Sequence, residues 1–378
     1  MNKAQTVSQL GDPCESALPY VRAIAPYQPG KPISELAREL GLEESGIVKL
    51  ASNENPLGAS PKGLAAAQRA LTDVGRYPDG SGFDLKQALS RRYRLAQDNV
   101  ILGNGSNDVL ELAARAFLAP GTSAVYSRHA FAVYPLVTQA TGARGIEVPA
   151  RDFGHDLEAM AAAIRSDTRL VFVANPNNPT GTWHGPDAVL AFLTKVPAGV
   201  LVVLDEAYNE YLPASDQAES ARWVERFSNL LVSRTFSKAY GLAGLRVGYG
   251  LAQRQVAELM NRVRQPFNVN SAALAAAVAA LDDDGFVRES FELNRAGMLQ
   301  LTQGFKRLGL DWIPSHANFV SVHVGQSTQL YQRLLELGVI VRPVAAYSMP
   351  EHLRVTIGLE SENRRFLEAL KQVLRGAA

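Results

Sequence analysis

Six short apolar runs between residues 100 and 232 constrain the fold more than any other feature of this chain. They are Val100–Leu102, Ser123–Tyr126, Gly145–Val148, Leu170–Val173, Val200–Leu204 and Asn229–Val232. Helical spacing fills the gaps, as over 108–117 and 131–141. Strands this apolar need cover on both faces, and alternating helices supply it. The pattern predicts an α/β architecture with a mostly parallel sheet between helices. After about residue 271 the pattern changes. An Ala-rich helix and a helix over 285–308 lead to strand candidates Phe319–Val322, Val339–Val341 and Leu353–Ile357, then a last helix over 362–374. This reads as a smaller α+β lobe. Ile47–Ala51 reads as a strand joining it, and Ser34 as the N-cap of a helix over 34–40. The predicted division is an N-terminal arm over 1–31, a large unit over 52–270, and a small unit made of 32–51 with 271–378.

Composition narrows the function classes. The 378 residues carry a formal net charge of +1, so no global field draws in nucleic acid or an anionic membrane. Cys14 is the only cysteine, which rules out an internal disulfide. The six histidines show no metal-ligand spacing, and no metal site is expected. Met1–Gly11 lacks the apolar core of a leader peptide. The longest apolar run, Ala272–Leu281, is shorter than the ~20 residues of a membrane span. These features predict a soluble cytoplasmic protein.

The densest chemistry lies in Ser233-Arg-Thr-Phe-Ser-Lys-Ala-Tyr-Gly-Leu-Ala-Gly-Leu-Arg-Val-Gly-Tyr249, directly after an apolar strand. Lys238 follows the hydroxyls of Thr235 and Ser237 and precedes Arg246 by eight residues. Hydroxyls and an arginine around one lysine suit a phosphate clamp beside a Schiff-base amine, and strand ends are where α/β folds build sites. Asn175-Pro-Asn-Asn-Pro-Thr-Gly181 forms a rigid turn at another strand end. Asp205 closes the run Val200–Leu204, where a carboxylate needs a partner. It fits a protonated ring nitrogen, with Tyr208 three residues on at a phenolic oxygen, or equally a helix N-cap with Tyr208 in the core. Gly103-Asn-Gly-Ser-Asn-Asp108 fits a phosphate cradle through Ser106 and Asn107, or a plainly capped helix start. Phe131 is placed to stack on a ring or to fill the core. Arg342 and Arg354, at late strand ends, are candidate forks for a carboxylate or phosphate.

In this order, Asn-Pro-Asn-Asn-Pro-Thr-Gly, Asp-Glu-Ala-Tyr and Ser-Lys with Arg eight later resemble the fold type I pyridoxal-phosphate-dependent aminotransferases across nearly the whole chain. Finer features resemble the histidinol-phosphate aminotransferases among them: Ala25–Gly30, Leu50-Ala-Ser-Asn-Glu-Asn-Pro56, Arg76–Asp79, Gly105–Asp108 and Leu353–Gly358. The resemblance implies pyridoxal 5'-phosphate on Lys238, with Asp205 at the pyridinium and Tyr208 and Asn175 at the phenolate oxygen. It implies Ser106, Asn107, Thr235, Ser237 and Arg246 at the cofactor phosphate, with Phe131 stacked on the ring. It also implies a homodimer whose Tyr77 reaches the neighbouring site. Tyr27, Asn53, Arg342 and Arg354 are implied substrate contacts. Phe131 stands where tyrosine also occurs, and Asn107 where a small or acidic residue is commoner. The implied reaction passes the amino group of histidinol phosphate to 2-oxoglutarate in ping-pong order. Aromatic amino-acid transamination, decarboxylation of an amino-acid phosphate and non-catalytic cofactor sensing are the other expectations carried forward. The last lacks room for a DNA-binding module in the arm.

Overall fold

The structure, a computed structural model, describes residues 13–375. The first twelve residues of the expected arm lie outside that range. Strands are labelled in chain order: β1 (Val48–Lys49), β2 (Val100–Gly103), β3 (Ser123–Ser127), β4 (Arg144–Val148), β5 (Thr168–Ala174), β6 (Leu201–Asp205), β7 (Leu230–Thr235), β8 (Gly248–Ala252), β9 (Trp312–Ile313), β10 (Phe319–His323), β11 (Val339–Ile340), β12 (Arg342–Pro343) and β13 (His352–Thr356).

Seven strands form one sheet in the order β2-β8-β7-β6-β5-β3-β4. All run parallel except β8, which is antiparallel to both neighbours. The six apolar runs are thus six of these strands. β5, β6 and β7 lie almost wholly in the interior, with separate apolar cores on either side of the sheet. The seventh strand, β8, carries two glycines and no apolar run, and the sequence pattern missed it. Those glycines are there for space. A Cβ on Gly248 would lie 2.5 Å from the Ser106 nitrogen, and one on Gly250 would lie 2.9 Å from Val109 Cγ1. The helix Ser106–Phe117 presses on the strand at that point.

A second, antiparallel sheet has the order β12-β13-β10-β9, and β1 pairs in parallel with β11. The early strand thus joins the late ones, over a core of its own that includes Leu301, Phe305, Val320 and Phe366. Two expectations need correction. Ser34 is not a cap: the helix runs Ile33–Leu40, and Pro32 stands at its N-cap with a φ already suited to helix entry. Nor does packing break at residue 271. The helix Ser271–Leu281, capped by Asn270, lies against the helix Pro61–Ala70, and its alanines belong to the core of the large sheet.

Candidate active site

The carboxyl ends of β5, β6 and β7 stop side by side, and one cavity opens above them. Its wall brings together Tyr27, Asn53, Ser106, Asn107, Phe131, Asp205, Tyr208, Thr235, Ser237, Lys238, Arg246, Arg342 and Arg354, all expected from the sequence. It also includes Glu54, Tyr134 and Asn178, which were not.

Asp205 is the last residue of β6, not a helix cap, and is buried. Its Oδ2 accepts a 2.8 Å hydrogen bond from the Tyr134 hydroxyl, while its buried Oδ1 has no partner. Burial pushes its carboxyl up to about 6, against the Tyr134 hydrogen bond and the Ala207 amide, which draw it down. Lys238 follows β7, and its Nζ donates 3.1 Å to the Ser52 carbonyl. Burial first, and then the charges of Arg354 and Arg246, lower this amine to about 7, against the pull of Glu54. The amine is thus shifted toward its neutral form.

On one side of Lys238 the chain builds an anion cradle. Arg246, held at φ 58°, extends one guanidinium nitrogen 3.2 Å to Ser237 Oγ. The Ser237 amide bonds Thr235 Oγ1 at 3.1 Å. The helix beginning at Ser106 points its free amides at the same space. Gly105, at φ 82°, is the residue this approach requires, since a Cβ there would fall 2.1 Å from Arg246 Nη2. Asp108 does not cap that helix from the N-cap position; its Oδ2 accepts from the Asn104 amide.

On the other side, β13 delivers Arg354 into the interior. Its Nη1 donates 2.6 Å to Asn178 Oδ1 and its Nη2 2.7 Å to the Ala51 carbonyl, while Nε is buried without a partner. These acceptors are neutral, and burial lowers the Arg354 pKa. Arg342, on β12, lies 5.5 Å over the Tyr27 ring and donates to the Gln28 carbonyl, so it ties the arm across the cavity mouth. Asn53 Nδ2 donates 2.9 Å to the Tyr208 oxygen, and Asn53 is itself fixed by Thr356 and Asn318. The Tyr208 hydroxyl proton remains free to donate, and burial raises its pKa to about 12.

Two expected residues stand elsewhere. Asn175 turns away from the cavity. Its amide closes on the His184 backbone, donating 2.9 Å to the carbonyl and accepting 2.8 Å from the nitrogen. Asn178 of the same heptapeptide takes the place at the cavity wall. Tyr77 is 83% exposed and stacks on Phe267 at 4.8 Å, outside the cavity of its own chain. Among the described residues, no group of three His, Cys, Asp or Glu side chains is arranged to hold a metal ion, and no helix is long and apolar enough to cross a membrane.

The chain belongs to the family Aminotransferase class I and II, whose model matches residues 45–370. Its relatives include the histidinol-phosphate aminotransferase of Methylobacillus flagellatus, 67% identical over 94% of this chain and 96% of that one. Histidinol-phosphate aminotransferase 2 of Nitrosospira multiformis is 63% identical over 94% and 91%. The crystal structure of histidinol-phosphate aminotransferase from Sinorhizobium meliloti in complex with pyridoxal-5'-phosphate superposes with a TM-score of 0.88 at 30% identity, covering 95% of this chain and 98% of that one.

Proposed function

We propose that this chain is a pyridoxal-phosphate-dependent transaminase that passes the amino group of histidinol phosphate to 2-oxoglutarate, giving imidazole-acetol phosphate and glutamate, a step of histidine biosynthesis. One observation carries the reading. Three arginines, Arg246, Arg342 and Arg354, line one cavity with the Lys238 amine, against the carboxylates of Asp205 and Glu54. Glu54 is already paired with Lys49 at 3.0 Å. Such a cavity calls for two anionic groups, and a phosphorylated cofactor beside a phosphorylated substrate provides them. The names of the relatives point the same way.

The residues present fit the cofactor. The orphaned Oδ1 of Asp205 requires a donor from the cavity, which a protonated ring nitrogen is. Ser106, Asn107, Thr235, Ser237 and Arg246 would hold the phosphate, and Phe131 the ring face. Tyr208 and Asn178, in place of Asn175, would reach the phenolic oxygen. Pyridoxal phosphate, when bound, supplies an electron sink for the charge left at the substrate α-carbon. Lys238 Nζ takes the proton from that carbon and returns it one position away; an amine near neutrality is matched to both tasks. Arg354, whose Nε awaits an acceptor, would bind the carboxylate of glutamate or 2-oxoglutarate, and with Arg342 and Tyr27 the phosphate of histidinol phosphate. Asn53 keeps Tyr208 in place. Both substrates use the same cavity, so they enter in turn.

Tyr77, exposed with Leu71 and Val74 on one stretch of chain, supports a homodimer in which it completes the neighbouring site. A cytoplasmic home suits a biosynthetic enzyme of free metabolites. We divide the chain into the arm over 1–31, a large unit over 52–281 and a small unit made of 32–51 with the residues after 281; the separate core around Phe305 and Phe366 supports this.

Borohydride reduction of the yellow enzyme, followed by peptide mass spectrometry, is expected to find the cofactor fixed on Lys238. Lys238→Ala is expected to abolish turnover. Normal transamination by that variant would sink the proposal.

A further inference from the structure

Tyr134 has no part in the roles above, yet it makes the closest contact with Asp205. Its ring is fully buried, stacked 4.7 Å from Phe172 and edge-on to Phe131 at 5.9 Å. Its hydroxyl donates 2.8 Å to Asp205 Oδ2, which leaves Oδ1 as the oxygen without a partner. The carboxylate is therefore asymmetric: one oxygen is clamped from behind, the other is open.

We infer that Tyr134 is a positioning residue, whose hydroxyl clamps Asp205 Oδ2 so that Oδ1 meets the cofactor's ring nitrogen as an anion and leaves the shared proton on that nitrogen. The inference rests on the pyridoxal-phosphate reading of the site. The physical argument concerns two bases competing for one proton. Burial makes the Asp205 carboxylate a stronger base than usual, and the neighbouring Glu206 adds to this. A protonated Asp205 would leave a neutral ring, which is a poor electron sink. The Tyr134 hydroxyl opposes that drift by hydrogen-bonding the anion, and the Ala207 amide draws the carboxyl the same way. Tyr134 stays protonated throughout, since burial and the facing Asp205 hold its pKa well above the ordinary value. Tyr208 faces the same pair, and Glu206 is offset by its own partner, Arg234, at 2.7 Å.

Tyr134→Phe keeps the ring and its stacking and removes only the donor. Wild-type and variant holoenzymes, loaded with pyridoxal phosphate labelled with 15N in the ring, are compared by 15N NMR across pH. The wild-type nitrogen is expected to hold its pyridinium signal from acidic to mildly alkaline pH, and the variant to lose it at lower pH. Cofactor affinity of the apo-variant is expected to fall by roughly ten- to a hundredfold, the size of a hydrogen bond to a charged group. Its kcat should fall while KM for both substrates holds. Phe172→Leu, which loosens the same packing but keeps the hydroxyl, should lower the melting temperature and leave the pyridinium signal intact. A folded Tyr134→Phe enzyme with wild-type pyridinium signal and cofactor affinity would overturn the inference alone. A wild-type enzyme whose ring nitrogen is unprotonated at neutral pH would overturn it without any variant. A wild-type protein that takes up no pyridoxal phosphate would overturn the cofactor reading as well.

Discussion

Asp205 shows how a residue kept for chemistry weakens the fold that holds it. Its carboxyl titrates near 6 in the folded chain and at the ordinary 3.8 when exposed. The folded state without cofactor therefore holds this proton more tightly than the unfolded one. Stability falls as pH rises through that window, by up to about 3 kcal/mol. Asp205→Asn removes the penalty while still accepting from Tyr134. The apo-variant is expected to melt above wild type at pH 7, with the gap closing below about pH 4, and to be inactive. Equal melting of the two proteins across that range, by calorimetry, would contradict the burial argument. The legibility of the site also divides at this scale. Lys238, Arg246 and Asp205 could be read from the chain because each breaks a local pattern, as a charge or polar cluster at the end of an apolar strand. Asn175 and Asn178 could not be told apart, because the direction of a side chain in a Pro-rich turn depends on the backbone it finds, here that of His184. Tyr134 gave no signal, since a buried tyrosine in a helix reads as core until its hydroxyl is seen on Asp205.

At the scale of elements, β6 and β7 carry both halves of the chemistry, and a buried ion pair joins them below it. Arg234 on β7 bonds Glu206, the residue after β6, through Nε at 2.9 Å and Nη2 at 2.7 Å, with Ser220 donating to the same oxygen. Both side chains are under a tenth exposed. Glu206→Gln would leave the buried Arg234 charge without its hydrogen-bonded carboxylate, with only the attraction of Glu210 remaining, and is expected to cost roughly 3–5 kcal/mol, measured by denaturant unfolding. A loss below about 1 kcal/mol would mean that the pair is solvated in solution. The elements legible in sequence were those with continuous apolar runs. β8 escaped because its glycines serve the approach of the helix that opens at Ser106, a constraint set by contacts distant in sequence. The helix Ser271–Leu281 was legible, but alanines alone do not say which core they fill, here that of the large sheet.

At the scale of the molecule, the proposed dimer makes one subunit finish the other's site. Mixing Lys238→Ala with Tyr77→Phe subunits tests this. In the hybrid, the site that keeps Lys238 receives Tyr77 from the Lys238→Ala chain, so one fully wild-type site per dimer is regained. Activity should rise on mixing toward the value for one intact site in each hybrid. If Tyr77 instead serves its own chain, mixing restores nothing.

The central claim is that this cavity is built for a phosphorylated amino donor. Its most direct test is the single-turnover half-reaction of the cofactor-loaded enzyme, followed by loss of the aldehyde-form absorbance with histidinol phosphate and, separately, with phenylalanine. The account predicts that kmax/Kd for histidinol phosphate exceeds that for phenylalanine by at least about a hundredfold, the size of one or two charge-assisted contacts to phosphate. Equal rates, or a preference for phenylalanine, would contradict it.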